Sequence, residues 1–396
     1  MVVNYTNFVL FLRGIMMRFR EITSLLLLLS LVLTLFTSCK SGNTDSSNSD
    51  AGSTEQTVNI KQRVNFERYK KEVKMPFAIV ASPFKYGDFL YFSAAEKGSA
   101  DPATNKLIKC DLKAKVIETL YEIPGERCNI SDISANENYI VWMAFERPAL
   151  YADMYLMDLK DGSVKMILND KEFTFGLAPV LMDDCVYWLE ENKTSDGKTE
   201  NMIVCYNCKT NDRIELQKLN QVSMHNDRVF ANEGFVVWAD KVGSSYYYFL
   251  FNTKTGKTAS YKAKGEVGGN VQYAKGFIFA TEFDGFDDIF GTTRIINTVT
   301  GQDVDTSSLC IEGDVRLVSG SFIVSTPGLL PVHQIKDGEI KLLGTLPDYL
   351  NDRAVFASQP DCFICYEEVP SGYEETEEYL NSDKKLYIFD LGKLAK

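Results

Sequence analysis

Histidine is almost missing from this chain: 396 residues contain two, His225 and His333. So few imidazoles exclude a histidine-rich metal centre. The two fall in different repeat units, so no Ser-His-Asp arrangement can be drawn. No G-x-S-x-G occurs either, which removes the nucleophile elbow of the hydrolases. No segment beyond the N-terminal region holds a 3.6-residue apolar period with caps, which excludes long helices. The longest apolar run, Leu25 to Phe36, is twelve residues, short of the ~20 a spanning helix needs. Positive charge is also scarce, with 42 basic against 54 acidic residues and a net charge of −12. That balance argues against a nucleic-acid partner and against direct adhesion to anionic lipid.

The short apolar run has a context. Arg18 and Arg20 precede it, and Phe36-Thr37-Ser38-Cys39 follows. Basic, apolar, then small is the order of a signal peptide. The last four residues resemble the bacterial lipobox, with Phe36 in place of the usual leucine. That resemblance makes residues 1–38 a leader and Cys39 the lipidated N-terminus of the mature chain. Met16 or Met17 fits the translation start better than Met1, because a signal peptide begins close to its arginines. Residues 39–56 are Ser, Gly, Asn, Asp and Thr with almost no apolar side chain. Such a stretch cannot bury enough surface to offset its ordering entropy, so it reads as a flexible tether. Removing the leader's three basic and one acidic residue leaves 39 against 53, a mature net charge of −14.

Residues 57–396 are repetitive. Seven segments share an apolar residue, then Asp or Asn (once Gln), then a turn. The second residue recurs at 111, 158, 207, 252, 297, 334 and 390. A turn followed by an apolar strand precedes each, as in Asn138-Tyr139-Ile140-Val141-Trp142 and Asp184-Cys185-Val186-Tyr187-Trp188. Trp142, Trp188 and Trp238 fall in one register. Continuous apolar runs are expected of strands packed on both faces. Four strands in about 45 residues make one propeller blade. The expected fold is all-β, a seven-bladed β-propeller, with six or eight blades as alternatives. Thr57 to Ile60 is expected to supply the outer strand of the last blade and so close the ring.

The repeat is similar to that of the TolB-like propellers, which are related to WD repeats. The residues that carry the likeness are "ADMYLMDLKDG", Ala152 to Gly162, and the stretched copy Asp287 to Gly301. The resemblance covers residues 76–394 and implies a fold more than a function. Such propellers are sometimes the front half of a serine peptidase, and no hydrolase-sized segment follows this one.

Eight cysteines follow Cys39. "CYNC" and "CFIC" look like halves of a zinc site, but in register Cys362 falls on Phe89 and Tyr139, and Cys365 on the tryptophans. These are small core hydrophobes. The cluster from Glu282 to Phe290 reads either as a Ca²⁺ loop or as a solvated blade loop, and the loop reading is favoured. The stretch from Tyr366 to Lys385 reads as a charged insertion. No metal and no cofactor is called for.

The starts of the innermost strands are the candidate site, since they ring a propeller's channel. They bring Asp132, His225, Arg228, Asn270, Asp314, Arg316 and Arg353 toward one mouth. A guanidinium grips a carboxylate with two parallel hydrogen bonds, so the arginines point to a ligand with an acidic group. The expected function is a lipid-anchored, extracytoplasmic binding module of the cell envelope. Its expected partner is an envelope protein, a peptide or an acidic glycan. The alternative is a polysaccharide lyase or glycosidase working from a channel-mouth acid pair.

Overall fold

A computed structural model describes residues 63–98, 103–123, 128–146, 152–170, 178–193, 198–222, 225–288, 291–307, 309, 311, 315–326, 330–350, 354–358, 361–366 and 377–395. The leader, Cys39 and the tether lie outside the described residues.

The second strand of every repeat begins where the apolar runs predict. These strands are Phe89–Ala95, Tyr139–Glu146, Cys185–Lys193, Phe235–Val242, Phe277–Phe283, Phe322–Thr326 and Cys362–Tyr366. Each pairs antiparallel with an inner strand before it and a third strand after it, giving seven separate sheets. Six of the sheets have four strands. Blade 5 has three, and its fourth is reduced to a single bridge between Ile296 and Asp303.

The recurrent Asp or Asn has a local cause. Its side chain accepts the backbone N–H groups of the turn that follows. Asp111 takes Lys113 and Ala114, Asn207 takes Lys209 and Thr210, and Asn252 takes Lys254 and Thr255. An Asx side chain is the right length to mimic a backbone turn. The turn closes four residues on in a left-handed residue, Lys115, Gly162, Asn211, Gly256 or Gly301, which is why glycine recurs there. Gln334 is one methylene too long for this cap and donates to Leu394 O instead. Blade 6 turns through Asp337 and Gly338, both with positive φ.

No blade can bury both faces alone. The apolar side chains form seven clusters among the described residues, one between each pair of adjacent blades. Residues along the second strand alternate between the two neighbouring clusters, as a period of two requires. In blade 2, Val141 joins the cluster shared with blade 3 and Trp142 the one shared with blade 1. Trp188 and Trp238 also pack toward the preceding blade, and all three tryptophans are buried.

The seventh cluster joins blades 7 and 1 and so closes the ring. The closing strand differs from expectation. Lys70–Met75, and not Thr57 to Ile60, pairs with Lys384–Asp390 as the outer strand of blade 7. Its register runs from Lys70 opposite Phe389 to Met75 opposite Lys384, and Val73 and Met75 pack into the closing cluster. Thr57 to Ile60 lies outside the described residues.

The cysteines sit as small hydrophobes. Cys110, Cys205, Cys208, Cys362 and Cys365 are buried, and the seven described cysteines carry free thiols. His333 is fully buried on a core strand, bonded through Nε2 to Leu309 O.

Candidate functional site

The inner strands surround the propeller axis, and between them lies a cavity of about 460 Å³. That is within the usual range of ligand sites. Two local features shape it. The first is a bulge in the inner strands of blades 1, 2 and 5, between Ala81 and Phe84, Ser131 and Ser134, and Gly268 and Val271. Ser82 and Asp132 take positive φ at these bulges, which re-aims the strand at the cavity wall. Gly269 fills the equivalent place in blade 5, where a Cβ would meet the Phe283 ring at 2.7 Å. The second feature is the hairpin after each inner strand. Its first turn residue is Glu137, Asp183 or Glu233 in blades 2, 3 and 4, and all three line the cavity.

The inner strands are tied to one another by side chain to backbone hydrogen bonds. Ser134 Oγ accepts Leu181 N at 3.1 Å, Gln272 Oε1 accepts Val318 N at 3.0 Å, and Ser358 Oγ accepts Lys85 N at 3.0 Å. Asn232 donates to Tyr273 O at 3.1 Å. These bonds satisfy strand edges that would otherwise face the axis unpaired. They hold the wall rigid, so side chains from separate blades keep fixed relative positions.

Of the seven candidate residues, Asp132 and Arg228 both line the cavity. Asp132 accepts Ser131 Oγ at 2.7 Å. The loop leading to Arg228 is fixed at several points. Asp240 accepts Asn220 N, Asn220 Nδ2 and Gln221 N, while Asn226 donates to Gln221 O and Ala239 O. His225 bonds Phe286 O at 2.9 Å and packs on the Phe283 ring at 4.2 Å. Asn270 Nδ2 reaches Asp227 Oδ1 at 3.3 Å. His225 and Asn270 therefore clamp blade 4's entry loop to blade 5 and are not cavity-lining groups. The Arg228 side chain is 59% exposed, with Nε 3.9 Å from Asp227. Asp314 and Arg353 lie outside the described residues. Arg316 is described in its backbone alone, opposite Ser325.

Sequence reasoning passed over the turn acids. They were legible as the column preceding the second-strand lead, Gly87, Glu137, Asp183, Glu233 and Lys275. Tyr86 donates to Glu137 at 2.6 Å and holds its carboxyl below the usual range. Glu233 pairs with Lys275 at 2.6 Å.

A second column was also missed. Glu190, Asp240 and Glu282 occupy one position on the second strands of blades 3 to 5, and all are buried. Glu282 accepts Lys264 N, Gly265 N, Tyr248 Oη and Arg294 Nη1. With its lone pairs so engaged, Glu282 is a structural anchor, which favours the solvated-loop reading of that segment. Among the described residues no three His, Cys, Asp or Glu side chains gather as metal ligands.

No protein-family model and no curated protein matches the sequence. Among solved structures, the chain is similar to the β-propeller domain of the trilobed protease from Pyrococcus furiosus. The TM-score is 0.51 at 10% identity, over 75% of this chain and 91% of that one. That domain has an open velcro topology, whereas here Lys70–Met75 joins the last blade. TolB from Acinetobacter baumannii matches with a TM-score of 0.41 and 13% identity, over 65% of this chain and 64% of that one. An oligogalacturonate lyase in complex with manganese gives 0.40 and 15%, over 66% and 75%. At such identities the likeness is one of fold. The chain is a seven-bladed β-propeller, with TolB among the propellers to which it is similar.

Proposed function

We propose that this chain is a lipid-anchored, extracytoplasmic propeller that captures a protein, peptide or glycan partner of the cell envelope in its central channel. The observation that carries the reading is the cavity itself. Its wall is rigidly bridged and brings Asp132 of blade 2 and Arg228 of blade 4 to one space. The lipobox at Cys39 and the tether through residue 56 support the envelope address. Other buried carboxylates, such as Asp240 and Glu282, are engaged in structural hydrogen bonds.

A lyase or glycosidase needs one carboxyl kept protonated as general acid. Glu137 is shifted the opposite way by Tyr86, and Glu233 is ion-paired. Both observations favour binding over chemistry.

Two experiments test the reading. Cys39→Ala is expected to leave an unprocessed precursor or release the protein from the membrane, and an intact mass with another mature N-terminus contradicts the anchor. In a pull-down from envelope extract, wild type is expected to retain a partner that Asp132→Asn/Arg228→Ala loses. Asparagine tolerates the left-handed backbone at 132, so that variant keeps the fold. Equal capture by both proteins places the site elsewhere, and turnover of a polysaccharide panel favours the enzyme.

A further inference from the structure

We infer that the segment held in the channel is a cationic, apolar stretch of peptide; this rests on the channel being the binding site. The sequence pointed to an acidic ligand through its arginines. The charges that line the cavity run the other way, with Asp132, Glu137, Asp183 and Glu233 against Arg228.

Local pairing sharpens the imbalance. Arg228 is countered in place by Asp227, which Asn270 holds in position. Glu233 is countered by Lys275. Asp132, Glu137 and Asp183 have no ion-pair partner among the described residues, and the Tyr86 hydroxyl keeps Glu137 ionised. Three carboxylates from blades 2 and 3 therefore face one space whose other walls include half-buried Phe84, Phe230 and Phe356. Low-dielectric walls focus the field of such charges on whatever enters. A lysine or arginine gains there twice, from the carboxylates and from aromatic faces that attract cations. A neighbouring aliphatic or aromatic residue covers the phenylalanines. Lysine or arginine next to an apolar side chain is the composition that satisfies both parts of the wall.

The test is fluorescence anisotropy with two labelled nonapeptides, one alternating lysine and phenylalanine, the other glutamate and phenylalanine. The lysine peptide is expected to bind the full mature chain. Glu137→Gln/Asp183→Asn is expected to weaken it by about tenfold at physiological ionic strength. Because the whole chain is acidic, the control variant Glu118→Gln/Glu215→Gln removes two exposed carboxylates from outer strands. It is expected to leave affinity unchanged. Equal losses from both pairs overturn the inference in favour of diffuse charge attraction. Tighter binding of the glutamate peptide, lost in Arg228→Ala, overturns the charge of the ligand and leaves the channel as the site. Binding of neither peptide, while the envelope partner is still captured through Asp132 and Arg228, also refutes the cationic segment and not the site.

Discussion

Glu282 and Arg294 stand on neighbouring strands of blade 5, joined by an Nη1–Oε1 contact of 3.1 Å, with side chains only 7% and 15% exposed. The same carboxylate receives the N–H groups of Lys264 and Gly265, which begin the crossover from blade 4. One side chain thus fixes a strand pair and an interblade loop. Glu282→Ala is expected to cost about 3–5 kcal/mol, because it leaves a buried guanidinium and loop donors without acceptors. Asp287→Asn, in the exposed loop nearby, is expected to cost less than about 0.5 kcal/mol. Urea unfolding of the two variants checks this. Equal losses would refute the anchor role.

Trp188 and Trp238 share a register but not an environment. The Trp188 indole donates to Glu190 at 2.9 Å, while the Trp238 indole nitrogen is buried without a partner among the described residues. Trp188→Ala is expected to cost roughly 3–5 kcal/mol as a packed core site. Trp188→Phe is expected to exceed Trp238→Phe by about 1 kcal/mol, the worth of one hydrogen bond. Chemical denaturation of the phenylalanine pair measures the difference, and a larger loss at Trp238 contradicts it.

Acid is expected to destabilise the fold through His333. Burial holds this imidazole below its ordinary value of 6.5. Nε2 bonds Leu309 O, and Nδ1 has no partner among the described residues. Above pH 6.5 neither state takes a proton, so this contribution is fully present. Below it the unfolded chain is protonated first, and stability falls as pH drops, by up to about 1.4 kcal/mol per unit. Unfolding free energies measured from pH 7.5 downward are expected to show this slope in wild type and lose it in His333→Gln. Identical slopes would contradict the assignment.

Among the described cysteines, Cys185 is expected to alkylate first. A hydrogen bond from Cys205 brings its thiol down to about 7, and it is only half-buried. Burial pushes Cys208 and Cys362 up to about 12. Timed iodoacetamide labelling with peptide mapping reads the order. Uniform labelling that appears only on unfolding would contradict it.

Much of the fold was legible because each blade repeats its own physics. The Asx caps at Asp111, Asn207 and Asn252, the left-handed glycines and the tryptophan register are local demands, and the sequence meets them blade after blade. The closing strand was less legible. Lys70–Met75 carries alternating charges and is chosen by its partner Lys384–Asp390, a pairing no local signal encodes. The channel was half legible. Strand starts are set by the repeat, so Asp132 and Arg228 were found. His225 and Asn270 share their spacing, but tertiary contacts turn them to clamping the entry loop. Glu137 and Asp183 were overlooked because turn acids usually face solvent, and only ring closure brings them to one wall.

The most direct test is hydrogen–deuterium exchange of the mature chain with and without its captured partner. Binding in the channel predicts new protection confined to the inner strands and their turns, in peptides covering 128–137, 180–184 and 228–234. Protection confined to the outer strands Val116–Glu122, Val164–Asp170 and Arg213–Leu219 would contradict it, since partners would then be held on the rim.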